Sequence, residues 1–281
     1  MNLLCIGGDR RTLFMSEFLH NKGFKISHFG LGTSTDVPLC AAIDAADAVI
    51  LPLPISSDGR TVRTPLASEV IFLDDIVLCQ PKFIFGGMFS VDLSHALTDK
   101  GIPFFDYYKS EPLTLKNALL TAEAALSIAI KETEFSLSGT NSLVIGYGRI
   151  GKILSRYLKA LGSNVTATSR SNSTLAAIET DGIESLNTLD VYESNDRFDL
   201  VFNTAPSPVM NRRFFGGLKK NCLVLELATA SGFDASAADE YKIKTLTLPG
   251  LPGKFFPKTA GELIGSEILN ILNLQKEEEM Q

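Results

Sequence analysis

The sequence predicts an α/β fold with two Rossmann-like, doubly wound parallel-sheet domains. Short β-branched or aromatic runs alternate with helical patterns along the whole chain, which is typical of parallel α/β architecture. A long helical stretch near the middle separates two such halves, and a glycine-rich turn opens the second half. At 281 residues the chain is long for one domain and comfortable for two.

In the first half, the alternation predicts strands at 2–6, 24–29, 47–53, 82–86 and 102–106, and helices at 10–21, 66–73 and 92–99. Gly23 and Gly101 each follow a predicted helix and precede a strand, which is the place of a C-cap glycine. Residues 113–133 are rich in Ala and Leu and contain no Gly or Pro, so they propagate easily as one helix. We expect this helix to join the two domains.

In the second half, the pattern predicts a helix at 149–161 and strands at 142–146, 164–169, 199–204, 222–228 and 245–249. The last helix is expected from Ala260 to about Leu274, with Thr259 and Glu262 as its capping box. Its apolar face predicts that it packs back on the first domain. The expected domains are therefore 1–118 together with 259–281, and 119–258; the motifs described next predict the first as a substrate domain and the second as an NAD(P)-binding domain.

Composition excludes several classes of function. The net charge of −6 and a pI near 5.2 argue against a nucleic-acid surface, which needs massed Lys and Arg. The four cysteines share no metal-like spacing, and we expect them to be structural residues in a reducing cytoplasm. Asp9 comes too early for a signal peptide, and no apolar run approaches the ~20 residues that span a bilayer. The sequence predicts a cytoplasmic protein without a metal or membrane partner; a homo-oligomer stays open.

The strongest motif is a glycine turn between a predicted strand and a predicted helix. The strand at 142–146 runs into Gly146, Tyr147, Gly148, Arg149, Ile150 and Gly151, and a second strand follows the helix. In such a dinucleotide-binding turn, the first glycine permits the tight turn and the second lets the backbone approach the pyrophosphate. The third lets helix and strand pack closely. The free amides at the start of the helix attract the phosphates. The motif therefore predicts an NAD(P) site.

The end of the next strand favours NADP over NAD. An NAD site places an acid there for the ribose hydroxyl, whereas this chain has Ser169, Arg170 and Ser171, with no acid before Glu179. An arginine flanked by hydroxyls can bind a 2′-phosphate. NAD stays possible, because Arg170 can also be a solvated loop residue.

Ligands of open α/β sheets collect at the carboxyl ends of the strands. That rule predicts the nicotinamide side at two strand ends and at the loop of Gly250. The residues at the two strand ends are Asn203, Thr204, Ala205 and Pro206 and, from the next strand, Glu226, Leu227, Ala228 and Thr229.

Three basic segments predict an anionic substrate. Arg10 and Arg11 open the first helix, where a bound anion would offset their repulsion by the helix dipole. A loop at 56–64 carries Arg60 and Arg63 among hydroxyls, and a Pro- and Gly-rich loop at 251–259 carries Lys258 and Thr259. Solvated arginines and plain connecting loops remain the alternative interpretation.

The histidines disfavour oxidation of an alcohol, which needs a base for the hydroxyl proton. His20, His28 and His95 all lie in the first hundred residues, at helix or strand positions, and not in the expected cofactor domain. No residue is assigned as catalytic from the sequence.

These segments together resemble the dipicolinate synthase A-subunit family of endospore-forming bacteria. The resemblance covers nearly the whole chain. It rests on Gly7-Gly8-Asp9 with Arg10, Thr121-Ala122-Glu123, Gly146–Gly151, Asn203–Ser207, and Pro249–Lys254 through Pro257–Gly261. One segment departs from the family: Leu225–Asp234 stands where the family tends to have Asp-Leu-Ala-Ser and a Pro-Gly-Gly run. The loop conformation beside the nicotinamide therefore stays open.

The resemblance implies oxidation of dihydrodipicolinate to dipicolinate with NADP, jointly with a flavoprotein-like B subunit, in the mother cell during sporulation. The residues agree with it, because Arg10, Arg60, Arg63 and Lys258 offer cations to a flat dianion. Forming the aromatic ring also needs no alcohol base. Two other functions stay open: a non-catalytic NAD(P)-binding subunit that gates a partner, and a relative of the D-2-hydroxyacid dehydrogenases.

Overall fold

The computed structural model describes residues 1–32, 37–206, 209–228 and 233–279. It forms two compact units, one of Met1–Lys116 with Gly253–Gln281 and the other of Asn117–Pro252. Each unit contains one parallel sheet with helices between its strands. The α/β class and the two-sheet architecture that the alternation predicts are confirmed.

The sheet of the first unit has five parallel strands. They are β1 (Asn2–Ile6), β2 (Lys25–Phe29), β3 (Ala48–Ile50), β4 (Ile84–Gly86) and β5 (Phe104–Asp106), in the order β2-β1-β3-β4-β5. The connecting helices are α1 (Arg10–Asn21), α2 (Leu39–Asp44), α3 (Leu73–Leu78) and α4 (Val91–Asp99). The direction of winding reverses between β1 and β3, so the ligand crevice of such a sheet lies at the carboxyl ends of these two strands.

Helix α5 (Glu111–Glu132) links the two sheets. Contrary to the expectation that no apolar run approaches membrane-spanning length, α5 passes a test of length and hydropathy for a membrane span. However, 61% of the tested window is buried inside the protein, as is typical of the core helix of a soluble protein.

The sheet of the second unit has six parallel strands. They are β6 (Asn141–Ile145), β7 (Asn164–Ser169), β8 (Glu184–Asn187), β9 (Leu200–Asn203), β10 (Leu223–Glu226) and β11 (Lys244–Thr247), in the order β11-β10-β9-β6-β7-β8. Its helices are α6 (Arg149–Ala160), α7 (Asn172–Thr180), α8 (Arg212–Gly217) and α9 (Ala235–Tyr241), and the short α10 (Leu251–Phe255) spans the boundary to the last segment of the first unit. This is the Rossmann strand order, with its reversal between β6 and β9.

The last helix, α11 (Pro257–Glu279), packs on α1, as its apolar face predicts. Ile264, Ile268 and Ile271 are buried in one cluster with Met15 and Leu19 of α1. A Cβ added at Gly261 would overlap the carbonyl oxygen of Arg11, and one added at Gly265 would lie 2.7 Å from the Phe18 ring. The two helices therefore touch closely at these glycines and run in the same direction.

Several predicted boundaries were wrong. Residues 66–72 form a loop, and the helix expected at 66–73 is α3, which begins only at Leu73. The strand expected at 47–53 ends at Ile50. The expected capping box at Thr259 and Glu262 is also wrong, because α11 begins at Pro257, whose fixed φ and missing N–H suit the first helical position.

One cysteine pair differs from the expectation of isolated structural thiols. Cys40 and Cys79, which are 39 residues apart, form a disulfide with their Cα atoms 5.0 Å apart. Cys5 and Cys222 are free and buried, as their apolar surroundings predict.

Candidate functional site

The glycine turn of the second unit has the geometry of a tight strand–turn–helix connection. Gly146 follows β6 with φ +92°, a conformation that favours glycine. A Cβ added at Gly151 would overlap the carbonyl oxygen of Gly146, so the first turn of α6 packs directly on the end of β6. The amide of Gly146 donates to the Thr168 hydroxyl at 3.3 Å, which ties the turn to β7.

The start of α6 is open. Gly148 is its N-cap residue and offers no side chain to the first amides of the helix. A Cβ added at Gly148 would meet nothing within 4 Å. A helix start whose N-cap residue has no side chain, with open space beside it, suits a phosphate group.

A cavity of about 290 Å³ lies over this turn. Seven of the predicted cofactor residues line it, namely Gly146, Tyr147, Gly148, Ser169, Arg170, Thr204 and Ala205. Its lining does not include the other seven, namely Arg149, Ile150, Gly151, Ser171, Asn203, Leu227 and Ala228. Pro206, from one of the predicted strand ends, also lines the cavity.

Sequence reasoning missed two threonines of the cavity. Thr168 and Thr188 line it, and their hydroxyls lie 3.2 Å apart. Thr188 belongs to a 3-10 helix after β8, in a polar segment without a clear periodic pattern. Thr168 lies inside the predicted strand, where an alternating pattern predicts burial but not a role.

Arg170 lies at the carboxyl end of β7, on the wall of the cavity. It is exposed, and it makes no ion pair with another described residue. Ser171 follows as the N-cap residue of α7, and its amide donates to the Ser169 hydroxyl at 3.1 Å. The carboxyl end of β7 thus presents one arginine between two serines, as the sequence predicts.

Tyr147 is held in place by a charged cluster. Its hydroxyl donates to Asp181 at 2.7 Å, and Asp181 also pairs with Arg156 at 2.9 Å and with Lys152 at 3.7 Å. Hydrogen bonds from Tyr147 and Arg156 hold the pKa of Asp181 below its usual value. This side of the cavity is therefore pre-organised.

A buried polar pair lies at the two strand ends that the sequence predicts for the nicotinamide side. Asn203 and Glu226, at the ends of β9 and β10, are 0% and 1% exposed, and the Asn203 amide donates to Glu226 at 2.9 Å. Asn203 accepts from the amide of Ala205 at 3.2 Å, and Glu226 accepts from that of Ala228 at 2.8 Å. The pair therefore holds the two strand-end loops and does not itself line the cavity.

In the first unit, the structure separates the two neighbouring arginines of α1. Arg10 is exposed, whereas Arg11 is 8% exposed and makes a bidentate ion pair with Asp9, with contacts of 2.9 and 2.7 Å. Asp9 also caps α1 by accepting from the Arg11 amide. Burial raises the pKa of Asp9, but the hydrogen bonds and charge of Arg11 and the charge of Arg63 outweigh it and leave that pKa below its usual value.

Arg63 lies beside this turn. Its carbonyl accepts from the amide of Gly8 at 2.7 Å, and its own amide donates to Ile55 at 2.9 Å. Arg60 is exposed in the same loop, and Asp58 accepts from the amides of Arg60 and Thr61 at 2.8 Å each. Lys258 and Thr259 lie in the first turn of α11. The predicted basic residues thus lie in one unit.

The histidines occupy structural or solvent positions, as expected. His20 and His95 lie on helices, and His28 is hydrogen-bonded to Ser16 at 2.9 Å. Among the described residues, no group of three or more His, Cys, Asp or Glu side chains could hold a metal ion.

Two family profiles together match most of the chain. The profile of the N-terminal domain of the dipicolinate synthase A subunit matches residues 2–108. That of the NAD-binding domain of the D-isomer specific 2-hydroxyacid dehydrogenases matches residues 127–237. The dipicolinate synthase A subunit of Bacillus subtilis is 29% identical over 83% of this chain and 80% of its own length. The chain is therefore similar to the dipicolinate synthase A-subunit family over most of its length.

Solved structures of this family share the whole architecture. The crystal structure of the A subunit from Bacillus halodurans matches with a TM-score of 0.87 at 26% identity, over 96% of this chain and 97% of that one. The Bacillus subtilis structure matches with a TM-score of 0.86 at 26% identity, over 99% and 97%. A D-lactate dehydrogenase of Salmonella, at 16% identity and a TM-score of 0.66 over 98% and 97%, shares the fold alone.

The segment that departs from the family is only partly visible. Leu227 and Ala228 follow β10, but Thr229–Gly232 lie outside the described residues, as does Ser207 after the other strand end.

Proposed function

We propose that this protein is the A subunit of a dipicolinate synthase and oxidises dihydrodipicolinate to dipicolinate with NADP. The observation that carries the proposal is the open glycine turn of a chain similar to that family, with an exposed arginine at the end of the next strand. By analogy with its relatives, the chain acts with a B subunit in the cytoplasm of a sporulating mother cell.

The second unit fits a dinucleotide. The turn Gly146–Gly151 and the start of α6 would hold the pyrophosphate, because the N-cap residue Gly148 has no side chain and the space around it is open. Ser169, Arg170 and Ser171 would hold the 2′-phosphate, and the strand ends at Asn203–Ala205 and Leu227–Ala228 would border the nicotinamide. Bound NADP supplies the acceptor for a hydride.

The first unit fits a flat dianion. Arg10, Arg60, Arg63, Lys258 and Thr259 are the candidate ligands for the two carboxylates. Arg11 is no longer a candidate, since Asp9 already pairs with its guanidinium. Charge-assisted hydrogen bonds from several cations would hold the ring at a fixed angle.

The reaction removes one hydride and one proton from the dihydropyridine ring. The hydride passes to NADP, the proton passes to solvent or a base, and the products are dipicolinate and NADPH. Aromatic stabilisation of the product assists both losses, so the residues of this chain need only bind and orient the substrate. The absence of histidine from the second unit is compatible with this chemistry.

The direct test is to supply dihydrodipicolinate to the purified protein together with its B subunit, while following dipicolinate and nicotinamide absorbance together. We expect dipicolinate and NADPH in equal amounts, with NADP preferred over NAD. Formation of dipicolinate without any change in the nicotinamide would contradict the proposal.

The same assay with this chain alone distinguishes the alternatives. A gating subunit would bind NADP and leave the dihydropyridine unchanged at every concentration. A hydroxyacid dehydrogenase would instead reduce 2-oxo acids with NADPH or NADH, and pyruvate and phenylpyruvate are suitable probes.

A further inference from the structure

Arg11 is the buried arginine of the proposed anion site in the first unit, and its guanidinium joins chain segments that are far apart in sequence. Its Nε and Nη2 atoms bind the carboxylate of Asp9, in the turn after β1. Its Nη2 also donates to the carbonyl of Leu53, in the segment after β3. Because a buried charge is costly unless it is paired, this arrangement constrains both segments.

A third segment rests on the same guanidinium. A Cβ added at Gly253 would lie 2.8 Å from the Nε and 3.0 Å from the Cζ of Arg11, so the backbone of Gly253 packs on the guanidinium. Gly261 of α11, eight residues after Gly253, packs against the backbone of Arg11. The side chain and backbone of Arg11 together fix where the C-terminal segment meets α1.

Each of these three segments carries a candidate substrate cation. Arg10 follows Asp9 directly, Arg63 follows in the loop that begins after Leu53, and Lys258 comes five residues after Gly253. Asp9 pairs with Arg11, so the candidate ligands for a bound dianion are the cations other than Arg11.

We propose that Arg11 is a positioning residue for substrate binding: it sets the spacing of Arg10, Arg63 and Lys258 and so selects two carboxylates at the separation of a pyridine-2,6-dicarboxylate. This rests on the proposed function, since it assumes that the substrate is that kind of dianion. Arg11 itself does not touch the substrate. Its planar, five-donor group can hold Asp9 and Leu53 together, which a lysine cannot do in the same geometry.

The test is the selectivity between dicarboxylates and a monocarboxylate, measured by calorimetry with NADP present. The probes are pyridine-2,6-dicarboxylate, its 2,4-isomer and pyridine-2-carboxylate. For Arg11→Lys we expect the preference of the wild-type protein for the 2,6-isomer to fall about tenfold, because a displaced cation loses its charge-assisted contact with the second carboxylate. Affinity for the monocarboxylate should stay nearly unchanged.

Gly253→Ala is the second variant, because its added Cβ would press on the guanidinium of Arg11 and it changes no charge. We expect the same loss of selectivity. Arg213→Lys, an exposed arginine of the second unit, is the matched control and should leave selectivity as in the wild type. Affinity for NADP and the thermal unfolding midpoint show whether each variant is folded.

Three results would overturn the positioning role. One is unchanged selectivity in folded Arg11→Lys or Gly253→Ala protein. Another is a parallel loss of affinity for all three probes, which a merely structural role predicts. The third is that the wild-type protein binds none of the dicarboxylates, in which case both this proposal and the proposed substrate are wrong. Unchanged selectivity in the variants would contradict only the role of Arg11 and not the proposed substrate.

Discussion

The turns that follow the first strand of each unit have a similar backbone layout but carry different side chains. Each follows the first strand of its unit, begins with a glycine of positive φ (+64° at Gly7, +92° at Gly146), and leads into a helix of 12 residues. Counted from that glycine, Asp9 takes the place of Gly148, and Thr12 takes the place of Gly151.

Those two substitutions decide the character of each turn. In the first unit the Asp9 carboxylate caps α1, and the Thr12 hydroxyl occupies the space where a Cβ of Gly8 would stand. In the second unit both places lack side chains, and a Cβ added at Gly148 would meet nothing within 4 Å. We therefore expect a dinucleotide to bind the second turn and not the first, which already contains an anion of its own.

The largest effect is expected for Gly151→Ala. The added Cβ would overlap the Gly146 carbonyl, and relief requires the turn to move. We expect a loss of about 2–4 kcal/mol in the free energy of unfolding of the second unit and at least roughly a hundredfold loss in NADP affinity. Chemical denaturation and fluorescence titration measure the two quantities. Near-normal stability would show that the contact is not as tight as described.

Gly148→Asp gives the second turn the carboxylate of the first. The side chain has room, since nothing lies within 4 Å of a Cβ there, and it would cap α6. We expect unchanged or slightly raised stability but roughly a hundredfold weaker NADP binding, because the carboxylate competes with the pyrophosphate and repels it. The matched control, Gly148→Ala, adds bulk without charge and should cost less affinity. If Gly148→Asp protein binds NADP normally, the pyrophosphate does not lie at this turn.

Arg170 has no counterpart after the second strand of the first unit, where Gly30 follows β2. For Arg170→Ala we expect about a tenfold loss of affinity for NADP, the usual value of one charge-assisted contact, and little change for NAD. Arg213→Ala is the control, and calorimetry with both nucleotides is the measurement. An equal loss for NADP and NAD would remove the case for a 2′-phosphate contact.

The smallest effect is expected for the stability of the first unit at acid pH, to which the Asp9–Arg11 pair contributes. Because the pKa of Asp9 is lower in the folded protein than its ordinary value of 3.8, the Asp9–Arg11 pair stabilises the fold fully above that pH. This contribution is lost as the pH falls below 3.8 through the folded-state pKa. We expect the double variant Asp9→Asn, Arg11→Met to show a shallower acid decline in thermal midpoint than the wild type. Parallel declines would mean that the pair does not titrate in this range.

The second turn could be predicted from the sequence almost completely, because its signals are local. The strand, the glycines and the helix follow one another within about 30 residues, as such units do, and β7 was placed correctly from Asn164 to Ser169. The helix expected at 66–73 failed for the opposite reason. Its apolar residues have a helical spacing, yet Val62 and Ile71 pair through their backbones and Phe72 is half exposed in a loop.

The roles of Arg10 and Arg11 could not be separated from the sequence. Nothing local distinguishes two neighbouring arginines, and the burial of Arg11 depends on Leu53 and on Gly253 from the far end of the chain. The disulfide between Cys40 and Cys79 was not predicted for the same reason, because a separation of 39 residues in the sequence does not indicate that two cysteines are close in space. Long-range packing determined both features.

The most direct test of the comparison is the stoichiometry and preference of nucleotide binding, measured by calorimetry on the wild-type protein with NADP and then with NAD. The account predicts one NADP per chain, bound about tenfold more tightly than NAD. Two nucleotides per chain, no binding, or a preference for NAD would contradict it.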